Sequence, residues 1–240
     1  MDQTCDAEGL QQPPRQAEEL FGAALPLVAR YAAFLASAGV ERGLLGPREV
    51  GRLWDRHLLN CGVVTELIPT GAKVVDVGSG AGLPGIVLAI LRPDTSVTLI
   101  EPLLRRSVFL RECLEQLELD NVTVVRGRAE ETAGQYRADI VTARAVAPLQ
   151  RLASWALPLL RPGGQLLALK GAQAETELEA ARADLLRQRA SSAEVIRVGG
   201  GRVDPATTVV RITAESGVDR ATGPKGRRGS GGSRKRGRKR

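Results

Sequence analysis

The sequence is poor in the residues that build disulfides, metal sites and stacking surfaces. Among 240 residues there are three cysteines, one histidine and only 3% aromatic side chains. Cys5, Cys61 and Cys113 are odd in number and far apart, so they predict neither a disulfide framework nor a CxxC metal site. We therefore expect no bound metal, and the few aromatic residues offer no stacking platform for single-stranded nucleic acid.

Long apolar runs and a secretion signal are also missing. No apolar run approaches the roughly 18 residues that a membrane span needs, and the first 15 residues lack the basic and apolar regions of a secretory signal. The composition, with 43% hydrophobic and 25% charged residues, is ordinary for a globular protein. These features predict one large core in a cytoplasmic protein that makes no membrane contact.

The positive charge is concentrated at the C-terminus. Residues 220–240 carry ten of the 34 Lys and Arg side chains and no acidic one, so the rest of the chain has 24 basic against 27 acidic side chains. The segment 216–240 is rich in Gly and Ser and has no hydrophobic periodicity, which predicts a disordered basic tail. Such a tail either neutralises RNA phosphates without reading their sequence or is a solubilising extension.

The rest of the chain divides into three parts. Residues 1–15 predict a disordered leader, and apolar residues at three- and four-residue steps predict an N-terminal helical extension over 16–70. In 71–215, short apolar segments alternate with helical ones, which predicts an α/β fold with a doubly wound, mostly parallel sheet. The predicted strands are 74–77, 96–101, 122–127, 139–144, 164–170, 193–198 and 207–213, and the predicted helices are 84–91, 103–119, 149–160 and 174–189.

The strongest local signal is a glycine-rich loop after the first predicted strand. In VVDVGSGAGLPG, residues 74–85, Gly78, Gly80 and Gly82 lead into a helix predicted from Pro84. Glycines at such a turn let the backbone approach a ligand, and the helix supplies free N–H groups. The loop therefore predicts a nucleotide-like cofactor. Since residues 80–85 also match GxGxxG, both S-adenosylmethionine and a dinucleotide satisfy the pattern.

Two acidic residues bear on the identity of that cofactor. Asp76 lies within the strand, where a dinucleotide fold usually has an apolar residue, and a carboxylate suits the ammonium and sulfonium of S-adenosylmethionine. Glu101 ends the next strand, where it can accept hydrogen bonds from the ribose of either cofactor. The sequence favours a Rossmann-like S-adenosylmethionine-dependent methyltransferase fold. An NAD-dependent reductase and a non-catalytic RNA-binding protein of ribosome assembly with this fold remain alternatives.

Six segments carry a more specific pattern: RLWDRHLLNC (52–61), VVDVGSGAGLPGIVLAILRPD (74–94), EPLLRRSVFLRE (101–112), RGRAEE (126–131), TARAVAPL (142–149) and LLALKG (166–171). Together they resemble the RsmG/GidB family of ribosomal RNA small subunit methyltransferases, over residues 20–213. The resemblance implies methyl transfer from S-adenosylmethionine to N7 of a guanine in the 530 loop of 16S rRNA. The expected partner is 16S rRNA or the small ribosomal subunit, and we expect the protein to be a monomer. The chain departs from the family at Ala81, Glu101, Asn60 and Cys61, where many members have Pro, Asp, Asp and Ser.

The resemblance also implies a set of cofactor contacts. These are Gly78, Leu83, Ala129, Glu130 and Arg144, in addition to Gly80 and Glu101 from the loop and strand pattern. Arg144 follows the fourth predicted strand and is expected at the junction of cofactor and RNA, unless it only caps the strand end. Glu130 is a weaker candidate, because an acid at the start of a helix is often simply solvated.

No residue is assigned as a general base. Guanine N7 has an in-plane lone pair and no proton, so the implied reaction needs positioning and electrostatic stabilisation. His57 is either a wall of the site or a core histidine beside Trp54, and Lys170 either reaches an RNA phosphate or is a solvated residue at a strand end. The role of Asn60 stays open because many family members have Asp there.

Overall fold

The computed structural model describes residues 9–216, which form a seven-stranded sheet with helices on both faces and a helical extension at the N-terminus. The predictions for residues 1–8 and 217–240 lie outside the described residues. The described part therefore covers the expected extension and sheet in full, and it includes the last residues of the expected leader.

The N-terminal extension is helical, with 3-10 and π-helical segments between the α-helices. Its elements are α1 (Arg15–Phe21), α2 (Leu25–Phe34), a π-helical turn (Leu35–Gly39), a 3-10 segment (Pro47–Arg52), a π-helical segment (Leu53–Leu58), α3 (Leu59–Gly62) and a 3-10 segment (Val63–Leu67). The indole Nε1 of Trp54 donates to the carbonyl of Gln11 at 2.9 Å. Gln11, which we expected in a disordered leader, therefore contacts the extension.

One part of the extension corrects an expectation about membrane spans. Within residues 9–216, the helical segment Arg15–Gly39 is long and apolar enough to cross a membrane by length and composition, with a mean hydropathy of 1.5 over its most apolar window. The sequence predicts no such segment because charged residues interrupt its apolar run. Phe21, Tyr31 and Leu35 of this segment pack in the hydrophobic core, so the helix has a structural role in the fold.

The sheet has the predicted strands and a reversal in strand order. Its strands are β1 (Lys73–Val77), β2 (Ser96–Glu101), β3 (Val122–Arg126), β4 (Ala138–Arg144), β5 (Leu160–Lys170), β6 (Ala190–Val198) and β7 (Thr207–Ala214). The order is β3-β2-β1-β4-β5-β7-β6, with β1 to β5 parallel and β7 antiparallel to both neighbours. This confirms the mostly parallel, doubly wound sheet. The order reverses between β1 and β4, where open α/β sheets bind ligands at the carboxyl ends of the strands.

Two hydrophobic cores lie on opposite faces of the sheet. The remaining helices are α4 (Gly85–Leu91), α5 (Leu104–Leu117), α6 (Leu149–Ala156) and α7 (Ala174–Arg187). The extension packs with α4 and α5 on one face, and α6 and α7 cover the other. The helix predicted over 149–160 ends at Ala156, because Pro158 lies in a 3-10 turn that leads into β5.

Candidate active site at the carboxyl edge of the sheet

The structure brings the predicted site residues to one edge of the sheet. Gly78, Gly80 and Leu83 lie in the loop between β1 and α4, and Glu101 ends β2. The other three follow the neighbouring strands: Ala129 and Glu130 begin a 3-10 turn after β3, and Arg144 ends β4. Because β1, β2, β3 and β4 are parallel and adjacent, their carboxyl ends meet there.

The three glycines of the loop are required for different reasons. All have positive φ, at 65° for Gly78, 58° for Gly80 and 98° for Gly82. A Cβ on Gly78 would lie 2.9 Å from the side chain of Val146, and one on Gly82 would lie 2.4 Å from Ile86, whereas a Cβ on Gly80 would meet only the carbonyl oxygen of Gly78, at 3.8 Å. Gly80 is therefore the loop glycine whose missing side chain leaves room for a ligand.

Glu101 is buried beneath this loop and holds its shape. One carboxylate oxygen accepts a hydrogen bond from the amide of Gly80 at 2.9 Å, and the other accepts one from the amide of Leu103 at 3.0 Å. A carboxylate oxygen has capacity for a second hydrogen bond. Glu101 can therefore keep these loop contacts while it accepts hydrogen bonds from the hydroxyl groups of a ribose.

Asp76 is the second buried acid at the edge. Its Oδ1 accepts a hydrogen bond from the hydroxyl of Thr142 at 2.7 Å, which ties β1 to β4, while Oδ2 has no hydrogen-bond partner among the described residues. Burial raises the pKa of Asp76 to about 6, and the polar groups of Thr142, Ser79 and the Gly85 backbone limit the rise. A buried carboxylate oxygen without a partner is costly, so a nearby cation would stabilise it. The open space at Gly80 and the two buried acids fit a cationic nucleoside cofactor.

Arg144 makes its contacts with the N-terminal extension. Its Nη1 donates to the sulfur of Cys61 at 3.4 Å, and its Nη2 donates to the carbonyl of Arg56 at 3.4 Å and to Nδ1 of His57. On the other side of the imidazole ring, Nε2 lies 2.9 Å from a carboxylate oxygen of Glu49. The sequence places His57 at the site as one of two alternatives, but it gives no sign of the link through Glu49.

The extension also reaches the glycine loop. The hydroxyl of Tyr31, in α2, donates to the carbonyl of Ala81 at 2.8 Å, and it would lie 2.9 Å from a Cβ on Gly82. Tyr31 is one of the apolar residues at three- and four-residue steps that predict the helical extension, and it is fully buried. A polar group at the end of a buried ring is the only sequence signal that could have indicated this contact.

The structure gives two further candidate residues, Lys170 and Asn60, contacts within the fold. The ammonium of Lys170 donates to the carbonyl of Ala147 at 3.0 Å and to Glu177 at 2.7 Å, so it holds the loop after β4, which does not favour the RNA-phosphate hypothesis. The amide of Asn60 donates to the carbonyl of Arg56 and its oxygen accepts from Thr207.

At the start of the 3-10 turn after β3, two neighbouring acids differ. Glu131 accepts a hydrogen bond from the amide of Arg128 at 3.3 Å and so stabilises the beginning of the turn. The side chain of Glu130 is 42% exposed and lies 3.9 Å from the guanidinium of Arg128. Glu131 therefore has the capping role, and the exposed carboxylate of Glu130 can approach a ligand.

Comparison with known proteins identifies the family. The model of the family described as rRNA small subunit methyltransferase G, GidB, matches residues 24–203. The chain belongs to this family. Ribosomal RNA small subunit methyltransferase G of Thermobifida fusca is 66% identical over 95% of this chain and 98% of that protein. The Streptomyces avermitilis protein of the same name is 58% identical over 86% of this chain and 87% of its own length.

Solved structures support the fold of this GidB-family chain. A S-adenosylmethionine-dependent O-methyltransferase of Thermotoga maritima matches with a TM-score of 0.53 at 15% identity, over 67% of this chain and 66% of that one. TYW2 of M. jannaschii, solved in complex with AdoMet, matches with a TM-score of 0.52 at 17% identity, over 67% of this chain and 76% of that one. The fold is therefore that of S-adenosylmethionine-dependent methyltransferases.

Proposed function

We propose that the protein transfers the methyl group of S-adenosylmethionine to N7 of a guanine in the 530 loop of 16S rRNA. The observation that carries the proposal is the opening at Gly80, whose amide is held by the buried Glu101 at the carboxyl edge of the sheet, in a chain of the GidB family. An NAD-dependent reductase is disfavoured because Asp76 occupies the strand position that is usually apolar in a dinucleotide fold. A non-catalytic assembly protein would have no need for an open cofactor loop.

The proposed reaction needs no proton removal by the enzyme. S-adenosylmethionine supplies an electrophilic methyl group, and guanine N7 has a lone pair and no proton. The residues of the chain then have to orient both reactants and accommodate positive charge on the methylated ring. Asp76 and Glu101, as buried acids at the edge, contribute negative charge on the cofactor side.

We propose a contact with the cofactor for each candidate residue. Gly78, Gly80 and Leu83 line the methionine portion, and Glu101 accepts hydrogen bonds from the ribose hydroxyls. Ala129, which is buried, and Glu130, which is exposed, lie beside the adenine. Arg144 lies between cofactor and RNA at the end of β4.

The proposed partner is 16S rRNA, either alone or in the small ribosomal subunit, and the protein acts as a cytoplasmic monomer. Residues 1–219 carry 24 basic and 27 acidic side chains, whereas residues 220–240 carry ten basic side chains and no acidic one. We propose that these side chains supply much of the affinity for phosphate.

Two measurements test the function. Calorimetric titration with S-adenosylmethionine and with NAD should show binding of the first and none of the second. Incubation of unmethylated small subunits or 16S rRNA with radiolabelled S-adenosylmethionine should label one guanine. Binding of NAD alone would favour the reductase, and cofactor binding without label on any RNA substrate would contradict the proposed transfer.

A further inference from the structure

Three side chains form a connected chain of contacts from the extension to the site. Glu49 lies in the 3-10 segment Pro47–Arg52, His57 in the π-helical segment Leu53–Leu58, and Arg144 at the end of β4. Glu49 Oε2 lies 2.9 Å from His57 Nε2, and His57 Nδ1 contacts Nη2 of Arg144. The imidazole is 12% exposed, so water has little access to it.

Hydrogen-bonding chemistry fixes the state of the imidazole. A guanidinium has only donors and a carboxylate has only acceptors. His57 must therefore donate from Nε2 to Glu49 and accept at Nδ1 from Arg144, which is possible only for the neutral ring in the Nε2–H tautomer. A doubly protonated ring would present a second donor to Arg144 at the same place.

The guanidinium of Arg144 retains capacity for a ligand. Its contacts with Cys61, Arg56 and His57 use three of the five N–H donors. Two residues before Arg144, Thr142 bonds to Asp76, and two residues after it, Val146 packs against Gly78. The guanidinium is thus held from the extension side, next to the cofactor loop.

We infer that His57 and Glu49 are positioning residues that orient Arg144 for methyl transfer, and that they do so only while His57 is neutral. This inference rests on the proposed function. It gives the N-terminal extension a role in the chemistry, because the extension supplies both positioning residues.

The charges around His57 give this arrangement a direction with pH. The charged groups that face the ring are Glu49, Arg56 and Arg144. Burial and Arg144 lower the pKa of His57, and Glu49 opposes them. The contact is therefore intact at neutral pH and is lost as the pH falls through the lowered pKa of His57.

A nuclear magnetic resonance titration tests the contacts without any assay of activity. The chain has one histidine, so the imidazole signals belong to His57. We expect a midpoint below the ordinary value of about 6.5 and nitrogen shifts of the Nε2–H tautomer. Arg144→Ala should raise the midpoint, and Glu49→Gln should lower it, while Glu179→Gln, which removes an equivalent ion-paired charge on α7, should leave it unchanged. If the titration midpoint of His57 is the same in Arg144→Ala as in the wild type, the inference is overturned.

Single-turnover methyl transfer between pH 5 and pH 8 tests whether the enzyme uses the contact. The wild-type rate should fall at acid pH with the midpoint of His57, and Glu49→Gln should shift that fall to lower pH. His57→Leu should lower the rate about 10- to 100-fold because Arg144 loses its acceptor. In His57→Asn, the amide oxygen can still accept from Arg144, so this variant should recover most of the rate and lose the part of the acid fall that follows the His57 midpoint, while any part due to Asp76 stays.

The outcomes separate this inference from the proposed function. The positioning role is wrong if the wild type labels RNA but the fall in rate at acid pH does not move in Glu49→Gln. It is also wrong if His57→Asn is as slow as His57→Leu while both variants bind cofactor and unfold like the wild type. If the wild type labels no RNA substrate, the proposed function fails, and the positioning role in methyl transfer fails with it.

Discussion

Replacing Gly80 with alanine tests whether the open side of the loop is the cofactor site. Gly80 has a φ of 58°, and an added Cβ would meet only the carbonyl oxygen of Gly78 at 3.8 Å. The folded protein can therefore accept the methyl group without a steric clash. The variant should lose about 1–2 kcal/mol of stability from the left-handed backbone conformation alone.

Gly71→Ala is a matched control for this conformational cost. Gly71 lies in the turn before β1 with a φ of 67°, and a Cβ there would have no heavy atom within 4 Å. Both variants should lower the melting temperature by a similar amount, about 2–8 °C for a domain of this size. The two glycines have a similar φ, but Gly80 lies at the carboxyl edge of the sheet and Gly71 at the amino edge.

The assay is calorimetric titration with S-adenosylmethionine at a temperature where both variants are folded. Gly80→Ala should weaken binding at least about tenfold, which corresponds to 1.4 kcal/mol, because the new methyl group occupies space that the ligand needs. Gly71→Ala should bind like the wild type. If the two variants bind the cofactor equally well, the opening at Gly80 is not the cofactor site.

Three further predictions concern other parts of the molecule. Tyr31→Phe should lower the free energy of unfolding by about 1 kcal/mol and weaken cofactor binding, because the hydrogen bond from its hydroxyl to the carbonyl of Ala81 is lost. Tyr136→Phe, near the opposite edge of the sheet, is the control, and equal cofactor affinity in the two variants would refute the role of this hydrogen bond. The unfolding free energy of the wild type should fall relative to that of Asp76→Asn as the pH rises from about 4 to about 6, since folded Asp76 keeps a proton that the unfolded chain releases. Denaturant unfolding at several pH values measures both proteins, and an unfolding free energy that changes equally with pH in both would contradict this. Deletion of residues 220–240 should weaken RNA binding and reduce the steepness of log K against log salt by about 0.7–0.9 per lost phosphate contact. Lys170→Gln is the control and should leave the slope unchanged, because the ammonium of Lys170 is bound to Glu177 and to the carbonyl of Ala147. Identical salt dependence in the truncated protein would show that the tail does not contact RNA.

The sequence alone determined the succession of strands and helices along the chain and the position of the glycine-rich loop. Alternation of apolar strands with helices is a local pattern, so it could be seen without knowledge of which strands pair. The run from Asp76 to Gly82 is also local, because a tight turn after a buried strand restricts its residue types over a few positions. Glu101 could be placed since it ends the next strand of a parallel pair.

Tertiary structure decided the partners of each side chain. Glu49, His57 and Arg144 meet although Arg144 is 87 residues from His57 along the chain, and no periodicity encodes such a distance. The same reason explains why Lys170 looked like a candidate for phosphate: a lysine at a strand end has the same local pattern whether it faces water or, as here, Glu177. Hydrogen-bond partners depend on the packing of the extension and helices against the sheet edge, and packing is a property of the whole fold.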